Sequence, residues 1–276
     1  KKYSSQYNNA LGKSIHKKGV GIATCWYGCG NTSIANPSTI RIGLRQNGQI
    51  ILHQGATDIG QGSNTVITQI VADAIQTDIN SIELIGPDTD LTPDAGKTSA
   101  SRQTFISGGA ASLAGKALRE KILRHANVGE NARIKSGPTG LFIEDSKRYH
   151  QVDLCHLPFD EFGYVLSVQE SYDPVTTPLD ENGQGDPYAL YGYGVQIAEL
   201  TVDTELGTVI IDRITAAHDV GKAVNPTLVE GQIEGGIAQG IGLALMEEYQ
   251  RGVTNNLHDY LIPTIGDMPD IDIFIV

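Results

Sequence analysis

The chain has 276 residues, of which 40% are apolar, and this length supports one large domain or two lobes that each have a core. Its 20 Lys and Arg against 32 Asp and Glu give a net charge of −12, which argues against a nucleic-acid-binding surface because such a surface needs a basic face. No run of about 18 apolar residues is present, so the sequence predicts no transmembrane helix.

Residues 1–39 are predicted to form a polar, Lys-rich N-terminal arm and a glycine-rich segment that leads into the fold. Two cysteines, Cys25 and Cys29, lie in this segment, and the third, Cys155, is far along the chain. Because three cysteines cannot all pair, we expect a reducing, cytoplasmic compartment. No further Cys or His pair follows at zinc spacing, so no metal ligands are predicted. The chain ends within an apolar, strand-like run, DIDIFIV, which indicates a fragment or one subunit of a larger assembly.

Residues 40–140 are predicted to form a first lobe. The stretch STIRIGLRQNGQIILHQGAT alternates apolar and polar residues around Asn47-Gly48, which predicts a β-hairpin with a type I′ turn. Apolar residues then recur every three or four positions from about Ser63 to Gln76, which predicts a helix. A short strand that ends at Pro87, a loop of small residues and a second helix, GGAASLAGKALREKILRHA, complete this lobe.

Residues 141–276 are predicted to form a second lobe that repeats this plan. A second hairpin turns at Leu206-Gly207 and ends in HDVG, much as the first ends in TDIG. A helix follows, with Asn225 as its N-cap and Pro226 as its first residue. The sequence therefore predicts an α+β fold of two duplicated lobes, built from hairpin and helix repeats.

The helix of the second lobe is unusually rich in glycine. Each glycine costs about 1 kcal/mol relative to alanine in a helix. We therefore expect something to pack closely against the bare backbone, so that this helix is buried against protein or ligand. The glycines concerned are Gly231, Gly235, Gly236, Gly240 and Gly242.

Three segments of small residues are candidates for a ligand site: Gly60-Gln61-Gly62, the run from Thr98 to Gln103, and Gly231-Gln232. If they converge, their amides and hydroxyls form a neutral cradle for a polyoxygenated ligand. Taken singly, they are more typical of a tight turn, a helix-capping loop and a solvated amide. Neither a P-loop nor a Rossmann fingerprint is present, and no catalytic acid–base pair follows from the spacing of residues.

Five motifs stand out along the chain: GQGSNTVITQIVADAI, PDTDLTPDAGKTSASRQ, TTPLDENGQGDPY, YGYGVQIAELTVD and DVGKAVNPTLVEGQIEGGIAQGIGLALMEE. Together they resemble the molybdopterin-binding part of the molybdenum hydroxylase family, which includes xanthine dehydrogenases, aldehyde oxidoreductases and nicotinate dehydrogenase. The motifs follow the family's order over most of the chain from about Ile40. WYGCGNT is a weaker match, to split nicotinate and purine hydroxylases. The resemblance implies a duplicated two-lobe fold that clasps the molybdopterin cofactor.

The resemblance also implies which residues bind that cofactor. Residues 60–62 match the loop that contacts the pterin, and residues 98–103 match the segment that wraps the pterin and its phosphates. Gln232 matches a glutamine near the metal. The family's general base, a glutamate that follows the strand DIDIFIV, is not in this sequence. The implied cofactor-binding residues are Gly60, Gln61, Gly62, Thr98, Ser99, Ala100, Ser101, Arg102, Gln103 and Gln232.

The implied function is that of a molybdopterin-binding subunit or fragment that hydroxylates an N-heterocycle, nicotinate or a purine, using water. The implied cofactor is molybdopterin cytosine dinucleotide, with molybdenum that carries a sulfido or selenido ligand. Electrons would pass to partner subunits that hold a [2Fe–2S] cluster and FAD, and a second molybdopterin subunit would complete the site. Alternatives are a xanthine dehydrogenase or aldehyde oxidoreductase of the same family, a non-catalytic cofactor-carrying partner, and a glycine-rich interaction domain.

Overall fold

The computed structural model describes residues 15–137, 139–145 and 148–276, which form two compact units. The central unit spans residues 28–191, and the terminal unit combines residues 15–27 with residues 192–276. This division differs from the predicted boundaries after residues 39 and 140. The strand Leu166–Tyr172 belongs to the sheet of the central unit, and the strand His16–Gly28 belongs to the sheet of the terminal unit. Residues 1–14 of the predicted arm lie outside the described residues.

The helices and strands follow each other with two short 3-10 turns, at Ile79–Ser81 and Ile265–Asp267. The first part of the chain contains β1 (His16–Gly28), β2 (Ser38–Leu44), β3 (Ile50–Gln54), α1 (Ser63–Ile75), β4 (Ile82–Ile85) and α2 (Gln103–Ala126). The middle contains β5 (Arg133–Gly137), β6 (Gly140–Asp145), β7 (Arg148–Gln151) and β8 (Leu166–Tyr172). The last part contains β9 (Tyr191–Asp203), β10 (Val209–Asp219), α3 (Pro226–Leu245), α4 (Leu257–Tyr260) and β11 (Asp270–Ile275).

In the central unit, two helices pack on a four-stranded sheet of order β4-β3-β2-β8. β2 pairs antiparallel with both β3 and β8, whereas β3 and β4 are parallel because α1 crosses over between them. The helices also pack against each other. A separate antiparallel sheet contains β5, β6 and β7. The core includes Ile40, Ile42, Leu52, Ile67 and Leu118.

The first hairpin forms as predicted, but its turn has another geometry. A type I′ turn requires a positive φ at both central residues. Between Arg45 and Gln49, only Gly48 has a positive φ, of 87°, and its N–H donates to the carbonyl of Arg45 at 2.8 Å. Residues 45–48 therefore form a type I turn that ends in a left-handed glycine. The type I′ prediction was wrong because Asn47 does not adopt a positive φ.

Both helices predicted in the first lobe are confirmed. α1 ends at Ile75, one position before the predicted end at Gln76, which instead caps the helix with φ of 62°. α2 begins at Gln103, ahead of the predicted GGAASLAGKALREKILRHA segment. Among the residues described, no helix has the length and apolarity needed to cross a membrane.

In the terminal unit, a four-stranded sheet has the order β1-β9-β10-β11. β9 and β10 form the predicted second hairpin, and β10 is parallel to β11. α3 begins as predicted, because the Asn225 side chain accepts the N–H of Leu228 at 3.1 Å and Pro226 is the first helical residue. The order β4-β3-β2 thus repeats as β11-β10-β9 with the same strand directions, which confirms a duplicated α+β fold.

The glycine-rich helix α3 is less buried than the sequence predicts. It contacts the sheet of its own unit through one row of residues, chiefly Ile233, Ile237 and Ile241. Apart from the adjacent backbone of the helix itself, a Cβ added at four of its glycines would meet no described heavy atom within 4 Å, whereas Gly242 is enclosed by Glu247 and Pro263. The described residues bury only this row of α3, and the burial of the rest of the helix against protein or ligand stays a prediction. The open glycines are Gly231, Gly235, Gly236 and Gly240.

Candidate functional site

Asp58 organises the turn between β3 and α1. Its Oδ1 accepts the N–H groups of Gly60 at 2.9 Å and Gly62 at 3.2 Å, and its Oδ2 accepts the N–H of Asn64 at 3.0 Å. Gly60 and Gly62 have φ values of 104° and 82°, which residues with a Cβ rarely adopt. The shape of this turn therefore requires both glycines, in agreement with the tight-turn alternative.

The same hydrogen bonds keep the Asp58 carboxyl ionised. Partial burial acts to raise its pKa, but the N–H groups of Asn64, Gly60 and Gly62 outweigh burial and hold the pKa below the ordinary value of 3.8. The N–H groups of Gln61, Ser63 and Thr65 have no hydrogen-bond partner in the part of the chain that the structure describes. These three amides are the donors that the start of α1 offers to a ligand.

The side chain of Gln61 is bound to its own turn. Its Oε1 accepts the N–H of Ile59 at 2.6 Å, and its Nε2 donates to the carbonyl of Thr57 and to Ser63 Oγ, both at 3.1 Å. A ligand would have to displace these hydrogen bonds to reach the side-chain amide. The backbone N–H of Gln61 is the more accessible donor.

Arg102 supports the loop of residues 95–103 from the inside. Its side chain is 1% exposed, and Nε donates to Asn36 Oδ1 at 2.6 Å. Nη2 donates to the carbonyls of Asn36 and Pro37 at 3.0 and 2.7 Å, while Nη1 donates to those of Lys97, at 3.1 Å, and Ala95. All five N–H donors of the guanidinium are used. The Arg102 side chain therefore positions this loop.

Two adjacent residues of this loop have a left-handed backbone. Ala100 and Ser101 have φ values of 55° and 51°, a conformation that costs about 1–3 kcal/mol for a residue other than glycine. The carbonyl of Ala100 is held by the N–H of Gly30 at 2.7 Å. The N-cap residue of α2 is Arg102, which makes no side-chain cap, so the helix-capping alternative does not account for these residues. Strain of this kind is concentrated at functional sites.

The two loops of the central unit meet at the carbonyl of Thr57. This oxygen accepts Nε2 of Gln61 at 3.1 Å and Oγ1 of Thr98 at 2.9 Å. Thr98 Oγ1 in turn accepts Nε2 of Gln103 at 3.3 Å, and the same Nε2 donates to the carbonyl of Lys97 at 3.1 Å. The structure thus brings together residues 60–62 and 98–103, two of the three predicted segments.

The third predicted segment lies in the terminal unit. Gln232 is on an exposed side of α3, and its side-chain amide makes no hydrogen bond to any described residue. A turn ahead of this helix repeats the Asp58 turn of the central unit. Asp219 Oδ1 accepts the N–H of Gly221 at 3.0 Å, and Gly221 has a φ of 61°. Sequence reasoning matched TDIG with HDVG but missed the aspartate as the organising residue. The signal was an acid two positions before a glycine, in both repeats.

Comparison with known proteins finds similarity over nearly the whole chain. The family model described as molybdopterin cofactor-binding domain matches residues 2–269. The putative xanthine dehydrogenase molybdenum-binding subunit XdhA of Escherichia coli K12 is 34% identical over 278 residues, which cover 93% of this chain and 35% of that protein. Subunit gamma of the 6-hydroxypseudooxynicotine dehydrogenase complex of Paenarthrobacter nicotinovorans is 30% identical, over 83% of this chain and 29% of its own.

A solved structure extends this similarity to three dimensions. The aldehyde oxidoreductase from Desulfovibrio desulfuricans matches with a TM-score of 0.79 at 25% identity, and the match covers 100% of this chain and 28% of that one. The chain therefore spans about a third of the length of the proteins it matches.

Proposed function

Since this chain belongs to the family of molybdopterin cofactor-binding domains, we propose that residues 57–62 and 98–103 hold the phosphate-bearing pterin cofactor of a molybdenum hydroxylase. The observation that carries the proposal is the meeting of the two loops at the Thr57 carbonyl, beside the start of α1. Because the Asp58 carboxylate already accepts three backbone N–H groups at this turn, the cofactor's phosphates would accept the N–H groups of Gln61, Ser63 and Thr65. Backbone donors suit a phosphate in a chain of net charge −12.

The proposed role of each residue follows from whether its hydrogen-bonding groups are already used within the two loops. Backbone amides and exposed hydroxyls contact the cofactor, whereas buried side chains position the loops. In the terminal unit, Gln232 contacts the cofactor's ligands near the metal. The positioning residues are Arg102 and Gln103. Gly60 and Gly62, whose N–H groups are bound to Asp58, shape the turn of the proposed cofactor site. The proposed contacts of the central unit are made by Gln61, Ser63, Thr65, Thr98, Ser99, Ala100 and Ser101.

We further propose that the whole enzyme hydroxylates an N-heterocycle, nicotinate or a purine, with an oxygen atom from water. Relatives named for xanthine and for 6-hydroxypseudooxynicotine support a nitrogen-containing substrate, and the aldehyde oxidoreductase leaves an aldehyde as the alternative. When bound, the molybdenum cofactor supplies the oxidative hydroxylation chemistry. The proposal includes the cytosine dinucleotide form of the cofactor, a sulfido or selenido ligand, partner subunits with [2Fe–2S] and FAD, a second molybdopterin subunit and a cytoplasmic location.

Thr98→Val tests the cofactor site, because it keeps the side-chain shape and removes the hydroxyl that joins the two loops. In the enzyme purified with its partner subunits, we expect about threefold to tenfold less molybdenum and acid-released cytidine monophosphate per polypeptide, with an unchanged circular dichroism spectrum. Thr39→Val is the matched control, since its hydroxyl bonds to Ser171 Oγ at 2.7 Å outside the loops. Full molybdenum content in Thr98→Val, or equal losses in both variants, contradicts the proposal.

Turnover by the purified enzyme tests the substrate class. We expect nicotinate, hypoxanthine or xanthine to gain oxygen from isotopically labelled water, as detected by mass spectrometry. Oxidation of aldehydes alone would contradict the N-heterocycle proposal. A molybdenum-loaded enzyme that converts none of these compounds would favour the non-catalytic cofactor-carrying partner.

A further inference from the structure

In the central unit, a second helix fills the space beside the first. α2 lies on β2 and β8 next to α1, and its glycines allow a close approach. A Cβ added at Gly108 would lie 2.8 Å from Ile70 Cδ1, and one added at Gly115 would lie 2.6 Å from Ala74 Cβ. Ile70 and Ala74 each follow a core-facing residue of α1 by three positions. The side chains of this contact thus belong to α1, and the bare backbone belongs to α2.

In the terminal unit, no described residue fills the corresponding space. The sheet order β11-β10-β9-β1 corresponds to β4-β3-β2-β8, and α3, like α1, connects the two parallel strands. Residues 15–27 and 192–276 contain no second helix comparable to α2. Among the described residues of the terminal unit, no helix therefore lies on β9 and β1 beside α3.

The face of β9 and β1 on the side of α3 carries small residues. Ala198 of β9 packs against the core under α3, so Leu200, two positions later, shares that face. A Cβ added at Gly19 of β1 would lie 3.4 Å from Leu200 Cδ1, which places alternate residues of β1 on the same face. Two of these alternate residues, Gly21 and Ala23, are exposed. Small exposed residues on a sheet allow a helix to approach closely.

α3 presents glycines at the positions where α1 contacts its neighbour. Its core-facing residues include Ile233 and Ile237, and the residues three positions later are Gly236 and Gly240. No described heavy atom lies within 4 Å of a Cβ added at either glycine. Gly236 and Gly240 of α3 thus correspond in position to Ile70 and Ala74 of α1. In the central unit the glycines are on α2, whereas in the terminal unit they are on α3, the counterpart of α1.

The outer side of α3 is also unlike a solvent-facing helix surface. Glu230 and Glu234 are the only charged residues in the helix, although most of its residues are exposed. Leu243, three positions after Gly240, is 72% exposed. A helix that faces water normally carries charged and polar residues on the side opposite its core. The composition of α3 indicates a surface that another element covers.

We propose that Gly236, Gly240, Leu243 and the adjacent face of β9 and β1 form a docking groove for an amphipathic helix from the part of the enzyme outside this sequence. This helix lies where α2 lies in the central unit. It presents bulky apolar side chains, because the glycines are on α3. Relatives have ample sequence to provide it, since this chain covers 35% of XdhA. The proposal concerns assembly and does not depend on cofactor binding.

Photo-crosslinking in the complete enzyme identifies the occupant. Leu243 is replaced by p-benzoylphenylalanine, and Thr227, on another side of α3, receives the same group as the control. We expect the probe at position 243 to crosslink to one segment outside residues 1–276 with apolar residues at three- and four-residue spacing, and the probe at position 227 not to do so. A crosslink to a second copy of this chain, to a segment without that spacing, or to no segment would overturn the proposal.

Gly236→Leu and Gly235→Leu form a second, matched test. A leucine at position 236 would occupy the groove, whereas position 235 points away from it. We expect the yield of assembled, soluble enzyme to fall by about tenfold for Gly236→Leu and to remain near wild type for Gly235→Leu. Normal assembly of both variants, or equal losses, would overturn the proposal. Because the readout is assembly, a negative result here leaves the Thr98→Val test of cofactor binding unaffected.

Discussion

The central and terminal units share a sheet order and a helical crossover but differ in how the sheet is covered. In the central unit, Ile42 and Leu52 are 0% exposed beneath α1 and α2. In the terminal unit, one row of α3 residues meets the sheet, and β1 is exposed along most of its length. A repeated topology therefore does not fix the extent of the core. The extent of the core is set by the number of helices that cover each sheet. Substitutions at corresponding kinds of residue in the two units test this statement.

The largest expected difference is between a buried and an exposed arginine. Arg102→Met in the central unit leaves the buried carbonyls of Asn36, Pro37 and Ala95 without their donor, so we expect the free energy of unfolding to fall by about 3–5 kcal/mol. Arg213 in the terminal unit pairs with Asp272 at 3.3 Å, but both side chains are about half exposed. Arg213→Met should therefore cost less than about 1 kcal/mol. Urea denaturation followed by circular dichroism measures both values.

Arg102→Lys is the informative companion variant. A lysine keeps the charge but cannot reproduce the fork of five donors, so it should restore little of the lost stability. If Arg102→Lys were as stable as wild type, charge rather than the carbonyl network would hold the loop.

The next difference concerns glycines in the two units. Gly115→Ala in α2 would place a Cβ 2.6 Å from Ala74 Cβ and 3.3 Å from the carbonyl oxygen of Val71, so we expect a loss of about 1–3 kcal/mol. Gly235→Ala in α3 meets no described atom within 4 Å, so the gain in helix propensity should stabilise the protein by about 0.5–1 kcal/mol. Thermal melting should show shifts of opposite sign. Two shifts of the same sign would mean that the backbones of α2 and α3 are equally enclosed.

Local structure could be predicted from the sequence because it depends on near neighbours. Alternation located the first hairpin, and the helical spacing of apolar residues located α1. The turn at Leu206-Gly207 located the second hairpin, and the N-cap Asn225 with Pro226 located the start of α3. The predicted type of the turn at Asn47-Gly48 was wrong, although this dipeptide is typical of type I′ turns. The carbonyl of Gly48 accepts Ser136 Oγ at 2.6 Å, a contact with a distant part of the chain that no local pattern reveals.

The candidate site shows the same limit. The glycines of the first loop could be located from sequence, since their positive φ leaves a local signal. The role of Arg102 could not, because its acceptors include Asn36 and Pro37, far away in the chain. The glycine content of α3 correctly signals a bare backbone, but sequence alone cannot tell which chain packs against it. The prediction that α3 is buried against protein or ligand therefore stays a prediction, since the described residues cover one row of it.

The smallest expected difference is between the two aspartates that organise the repeated turns. Asp58 accepts three backbone N–H groups and Asp219 accepts one from Gly221, so Asp58→Ala should cost about 1 kcal/mol and Asp219→Ala about half of that. Because folding lowers the pKa of Asp58 below its ordinary 3.8, its contribution is complete above that pH and is lost as the pH falls through the lower folded-state pKa. The gap in unfolding free energy between wild type and Asp58→Ala should therefore be constant near neutral pH and shrink only in strong acid. Urea titrations across that range measure the gap. A gap that stays unchanged once the pH has fallen below the folded-state pKa of Asp58 would show that its side chain acts through its shape and not through its charge.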